Sequence, residues 1–282
     1  MSSDFHIIRN YEPRLFNQVI LQSGTSLCPS FPFPNKNAPL ILARHFGLDT
    51  NDISIAIDFL APIDELEVIA ACDTLGLAFR PCIEQSFDDV EAFLNHNWVA
   101  NETVPLVKDL NIIVGYNNDE GFLFVSNINN FDNSVNEGLT NTFDIDHEDF
   151  TGQEYTRLFY YGDEEVTRDG AVFQNVVNMR SDMAFIHPSI RSVGRFIKND
   201  VKNVYLYVFT YDGGRNFAKH KDNITEGGAL HADEQGYLFD ISYMKAPTGQ
   251  DQLVLDRMTT MWANFVKHGD PTPETSNLLP VK

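Results

Sequence analysis

Two residues have the type and setting to do chemistry together. His231 stands in the glycine-bearing stretch Glu226-Gly-Gly-Ala-Leu-His231-Ala-Asp-Glu-Gln-Gly-Tyr-Leu-Phe239, and Glu120 stands in the turn-former run Asn117-Asn-Asp-Glu-Gly121. An imidazole is the side chain best suited to move a proton near neutral pH. A carboxylate beside it can hold the correct tautomer and stabilise the imidazolium. A lone loop histidine is ordinarily satisfied by hydrogen bonds and does nothing more, so the case for His231 rests on Glu120 and on what delivers both.

The elements that must deliver them are strands. Leu110-Asn-Ile-Ile-Val-Gly115 is an apolar, β-branched run that reads as a fully buried strand, and it empties into the Glu120 turn. Val204-Tyr-Leu-Tyr-Val-Phe-Thr210 reads as another buried strand, about twenty residues before His231. Val19-Ile-Leu-Gln22 is a third, ending at Ser23-Gly24. Helical patterns alternate with them: Pro39 to Phe46 with Gly47 as stop, Asn51 to Leu60, Asp64 to Cys72, Ala171 to Lys198 broken at Pro188, and Asp251 to His268 stopped by Gly269 and Pro271. The region from Asn127 to Thr151 is polar and reads as surface. Strands alternating with helices imply a parallel α/β sheet covered on both faces, whose ligands sit beyond the carboxyl ends of the strands.

Composition narrows the partners. Twenty Lys and Arg against 40 Asp and Glu give a formal charge of -20, a field that repels nucleic acid and anionic membrane surfaces. No apolar run is long enough to span a bilayer, and the start has no basic region followed by an apolar core. Cys28, Cys72 and Cys82 form no metal-type Cys-x-x-Cys, and no metal or organic cofactor is implied. The sequons Asn101-Glu-Thr103 and Asn223-Ile-Thr225 are as many as chance supplies, so localisation stays unknown.

A carboxylate followed by a histidine is the later part of the order Ser, then Asp or Glu, then His of α/β-hydrolases. The nucleophile motif G-x-S-x-G is nowhere in these 282 residues, nor is an HGGG-type oxyanion motif. The nearest match, Gly24-Thr-Ser26-Leu-Cys28, leads into Pro29, Pro32 and Pro34 where a helix should follow, and reads as a decoy.

Four motifs resemble the type-B carboxylesterases, the cholinesterase-like and insect esterase family. Leu15-Phe-Asn-Gln-Val-Ile-Leu-Gln-Ser-Gly-Thr25 is similar to the family's segment after the nucleophile helix. Ile113-Val-Gly-Tyr-Asn-Asn-Asp-Glu-Gly121 is similar to the stretch bearing the triad acid, and Gly228-Ala-Leu-His-Ala-Asp-Glu234 to the histidine loop. Met258-Thr-Thr-Met-Trp-Ala-Asn-Phe-Val-Lys-His-Gly-Asp-Pro-Thr272 is similar to the C-terminal helix and its stop.

The resemblance implies an α/β-hydrolase fold, here incomplete, with residues 1–282 forming the central to C-terminal part of one carboxylesterase domain. The early strands and nucleophile elbow are expected to be absent, the chain beginning inside the helix that follows the serine. It further implies Glu120 as triad acid, His231 as triad base, Ser23 and Glu234 as supports behind them, and Ser30, Leu77, Phe79 and Phe124 near the acyl pocket or gorge. The family's small-loop disulfide would need cysteines near Leu48 and Asp58, and there are none. The implied substrate is a small-molecule carboxylic ester. Without its serine the chain is expected to be inactive alone. The alternative is a non-catalytic, neuroligin-like adhesion or binding member of the same fold.

Overall fold

The computed structural model describes residues 2–9, 14–28, 37–77, 81–84, 91–99, 102–104, 107–125, 152–164, 167, 170 and 172–280. Elements follow in the order α1 (Ser2–Ile8), β1 (Gln18–Gln22), α2 (Ala38–His45), α3 (Ile53–Leu60), α4 (Glu65–Thr74), β2 (Asn111–Asn117) and α5 (Phe122–Val125). Then come α6 (Gly152–Tyr160), α7 (Phe173–Ser181), a π-helical turn (Asp182–Ile186), α8 (His187–Lys198), β3 (Asn203–Phe209), α9 (Phe217–Asp222), a 3₁₀ turn (Asp233–Tyr237) and α10 (Gly249–His268). The chain divides into two compact units, one of residues 1–30 and 97–282 and the other of residues 31–96.

The larger unit is built on the three apolar runs read from the sequence. They pair as parallel strands in the order β1-β2-β3, with Leu21 opposite Val114 and Val114 opposite Leu206. Alternation of side chains across a strand sends Val19, Leu21, Ile112 and Val114 to one face, where Ile7 of α1 and Phe196 of α8 cover them. The opposite face takes α10: Tyr205 meets Phe265 edge-on with ring centroids 6.1 Å apart, and Tyr207 meets Trp262 at 5.1 Å. Every residue of β2 is buried, as expected for a central parallel strand.

β3 departs from its expectation of full burial. Leu206 and Val208 are each 48% exposed, because α8 packs over β2 and only the Val204 end of β3. The long helical segment departs too. Instead of breaking at Pro188 it runs on from α7 through the π-helical turn into α8. Pro188 falls in the first turn of α8, directly after the wider turn, and with no N–H to donate it leaves one bond of the continuing helical ladder unmade.

α10 begins two residues before the expected Asp251, with a capping box in which Thr248 and Asp251 bond reciprocally to each other's backbone ends. Gly269 ends it at φ 72. In the smaller unit Asp52 and Asp64 cap α3 and α4, accepting from Ser54 N at 2.8 Å and Leu66 N at 2.9 Å. Its core joins Leu42, Ala71 and Cys72, with Leu77 partly buried against them. The polar stretch Asn127 to Thr151 lies outside the described residues.

Candidate active site

β2 ends in the turn that carries Glu120, and the sequence there leaves almost no polar group idle. Asn118 N donates to Phe209 O of β3 at 3.1 Å, and Asp119 N donates to Ala229 O of the histidine loop at 3.0 Å. Asn118 Oδ1 accepts from Ala229 N at 3.0 Å, and Asp119 Oδ2 accepts from Gly228 N at 2.7 Å. Asp119 and Leu230 thus form a parallel bridge that extends β2 by one rung. The close approach depends on Gly228, where a Cβ would lie 2.3 Å from Asn118 Nδ2.

The histidine is held from behind as firmly. Leu230 N donates to Asp233 Oδ2 at 2.6 Å, and Leu230 O accepts from Asn117 Nδ2 at 2.6 Å. Asp233, fully buried, also accepts from Lys219 N at 3.1 Å and Asn216 Nδ2 at 3.0 Å. Burial pushes its carboxyl above the ordinary value against the pull of these hydrogen bonds. Ala232 sits at φ 74, a left-handed conformation uncommon for alanine, and turns the chain sharply just after His231.

The two loops bring His231 Nδ1 to 2.5 Å from Glu120 Oε2. Glu120 is fully buried, and its other oxygen accepts from Asn117 N at 2.7 Å. A carboxylate accepts, so Nδ1 carries the proton and Nε2 keeps its lone pair. Burial on its own lowers the imidazole pKa. The hydrogen bond and charge of Glu120, with Glu234 and Asp233 behind, outweigh that and leave it above its ordinary value. Such an imidazole can accept a proton at Nε2 from a hydroxyl while the carboxylate stabilises the imidazolium formed.

Among the other residues expected at a site, Glu234 is buried with Oε2 accepting from Asn117 Nδ2 at 2.7 Å and Oε1 from Gln22 Nε2 at 3.1 Å. Burial raises its carboxyl, the Asn117 hydrogen bond lowers it, and the Glu120 charge raises it again. Ser23 lies at the carboxyl end of β1 with φ 48, its N–H on Gly115 O at 2.9 Å. Its hydroxyl, buried, takes no partner among the described residues. Phe124 lies beside the imidazole, ring centroids 6.3 Å apart. Leu77 belongs to the smaller unit, and Ser30 and Phe79 lie outside the described residues. Ser26 is buried with its N–H on Asp4 Oδ2 at 2.7 Å and its carbonyl on Trp98 Nε1 at 3.0 Å, and its hydroxyl takes no partner among the described residues.

Sequence reasoning missed Asn117, Asn118, Asp119 and Asp233 as working parts, taking the first three for turn formers. It missed Phe185 as well, whose ring lies 4.9 Å from the imidazole. A signal for Asn117, Asn118 and Asp119 was present: three successive side chains able to bond backbone, placed directly at a buried strand end.

Comparison with known proteins agrees with this frame. Esterase FE4 of Myzus persicae is 25% identical, over 98% of this chain and 52% of its own length. Juvenile hormone esterase of Heliothis virescens is 23% identical, over 95% of this chain and 50% of its own. The chain therefore spans about half the length of the curated relatives it matches. The crystal structure of juvenile hormone esterase from Manduca sexta, with OTFP covalently attached, superposes with a TM-score of 0.75 at 19% identity, covering 95% of this chain and 54% of that one. The fold is accordingly that of an α/β-hydrolase. The profile described as Carboxylesterase family matches residues 1–281, and the chain belongs to the carboxylesterase family.

Proposed function

We propose that these residues supply the acid and base of a serine ester hydrolase: His231 takes the proton of an attacking hydroxyl at Nε2, and Glu120 orients and stabilises it. The observation that carries this reading is the 2.5 Å contact between His231 Nδ1 and the buried, backbone-bonded Glu120. The substrate class is a small-molecule carboxylic ester, attacked by a serine to give an acyl-enzyme that water then cleaves. His231 gives the serine's proton to the leaving alcohol in the first half, and in the second draws one from water and returns it to the serine oxygen as the acid departs.

No G-x-S-x-G occurs in the 282 residues, so the purified chain is expected to give no turnover above that of water. A p-nitrophenyl acetate assay tests both parts. The chain alone should show no rate that His231→Ala abolishes. Co-expressed with the portion of Esterase FE4 that it does not match, it should show one. A His231-dependent rate from the chain alone would overturn the inactivity. An assembled but silent pair would overturn the hydrolase reading. A purely adhesive, neuroligin-like role places no demand on the acid–base contact, and its presence supports the hydrolase reading over that alternative.

A further inference from the structure

The residue behind His231 comes from an irregular piece of helix. Between α7 and α8 the helix widens to a π turn over Asp182–Ile186, marked by the bond from His187 N to Asp182 O across five residues. Single π turns inside α-helices recur at functional sites. Here the turn has a definite geometric effect. Val177, Ser181, Phe185 and Ser189 follow one another at intervals of four and are all buried, at 0, 1, 5 and 0% exposure. At 3.6 residues per turn, each four-residue step drifts about 40° round the helix, so three steps would carry the last residue about 120° off the buried face. The wider turn absorbs that drift and keeps Phe185 facing inward below Ser181.

Ser181 and Phe185 each hold one half of the acid–base pair's surroundings. Ser181 Oγ accepts from Gly121 N, next to Glu120, at 2.9 Å while donating to Val177 O at 2.8 Å. Gly121 lies so close to the helix that a Cβ there would be 2.6 Å from Val177 O. Four residues on, the Phe185 ring lies against the His231 imidazole with centroids 4.9 Å apart and planes inclined at 37°, and Phe124 flanks both rings. One helix thus touches the acid turn and the base.

An imidazole held only at Nδ1 remains free to swing, because the torsion linking its ring to Cβ has broad wells. Where Nε2 points is then undefined, and a base must point within hydrogen-bond reach of its proton. We propose that Phe185 is a positioning residue for His231: the π turn sets its ring against the imidazole and fixes the plane in which Nδ1 meets Glu120. The inference rests on His231 being the base, but its test does not read activity.

The Nδ1 proton of His231 should appear as a low-field proton resonance in water, identified by 15N-histidine labelling of the chain. Phe185→Tyr, which keeps a flat ring, retains it, and Phe185→Leu loses it to exchange with water. Phe196→Leu makes the same change at a fully buried site of α8 packed among Ile7, Val19 and Leu110, and retains it. If Phe185→Leu does not fold, as judged by circular dichroism, Phe185→Met carries the same expectation. Survival of the resonance in the leucine or methionine variant, or its equal loss in Phe196→Leu, overturns the role of Phe185. Its absence from the unaltered chain would instead sink the Glu120–His231 reading, and the inference with it.

Discussion

Glu120 and Glu234, two buried carboxylates from different loops, are held by the two ends of one residue: Asn117 donates its backbone N–H to Glu120 at 2.7 Å and its side-chain amide to Glu234 at 2.7 Å. Two such acids in one pocket resist carrying two charges. Glu234 is raised first by burial and then by the Glu120 charge, with the Asn117 bond opposing. Tyr207, whose hydroxyl lies buried beside them, is raised well above its ordinary value, by burial first and then by both carboxylates. Of the two carboxylates, Glu120 is the one hydrogen-bonded to the His231 imidazole.

Asn117→Ala is therefore expected to lower stability by about 1–3 kcal/mol, since it strands the buried Glu234 oxygen and the Leu230 carbonyl that now share its amide. Urea denaturation of the variant measures it. A loss below about 0.5 kcal/mol would mean that water replaces the amide without penalty, and that Asn117 does not organise the pair.

The imidazole makes a pH-dependent contribution whose sign follows from its raised pKa. A group that binds protons more tightly when folded stabilises the fold below its unfolded pKa, about 6.5 for histidine, and loses that contribution as pH rises through the folded value. The stability lost in His231→Gln should be larger at about pH 5.5 than at about pH 9. Denaturant midpoints of both proteins at both pH values give the double difference. An equal or reversed difference would show that Glu120 does not favour the imidazolium.

Asp251 works in the other direction. Burial raises it, but bonds from Thr248, Gly214 and Tyr211 win and hold its carboxyl below the usual range. It joins the start of α10 to the chain leaving β3, so Asp251→Ala should cost about 1–3 kcal/mol near neutral pH. That cost should shrink as pH falls from about 3.8 through the folded value, where the aspartate protonates and the unaltered protein loses the same bonds. Thermal melts at acid and neutral pH check it, and a cost that persists in acid would contradict the ionic account.

Much of this frame could be read from residues in a row. The β1, β2 and β3 cores are short β-branched runs between turn formers, and α10 shows an apolar stripe between a cap and Gly269-Asp-Pro271. Such signals are local, which is why they were legible. The exposed face of β3 was not, because Leu206 and Val208 are as apolar as the buried residues of β2, and only the placement of α8 distinguishes them. Nor was the π turn. Proline at 188 signals a helix start as readily as a break, and a four-residue rhythm over three steps is too short to stand out. Glu120 and His231 are 111 positions apart. Their pairing follows from adjacent parallel strands ending side by side, which the family likeness implied and spacing alone did not.

Glycines offer the sharpest check on how tightly the histidine loop is seated. At Gly236, in the 3₁₀ turn after His231, a Cβ would stand 1.8 Å from Arg215 O, a backbone atom with no rotamer to change. At Gly115 it would stand 1.9 Å from Tyr207 Cε1, and that ring is itself backed by Trp262. Gly249, the first residue of α10, has nothing within 4 Å. Alanine at 236 must move main chain and should cost more than the roughly 1–3 kcal/mol of ordinary overpacking, while alanine at 115 should fall within that range by tilting Tyr207. Alanine at 249 should be neutral or stabilise by up to about 1 kcal/mol, as glycine is the poorer helix former. Melting temperatures of the three variants should fall in the order 249, 115, 236. A Gly236→Ala protein as stable as Gly249→Ala would mean that the loop carrying His231 yields freely, and that the Glu120 contact is not held by the packing behind it.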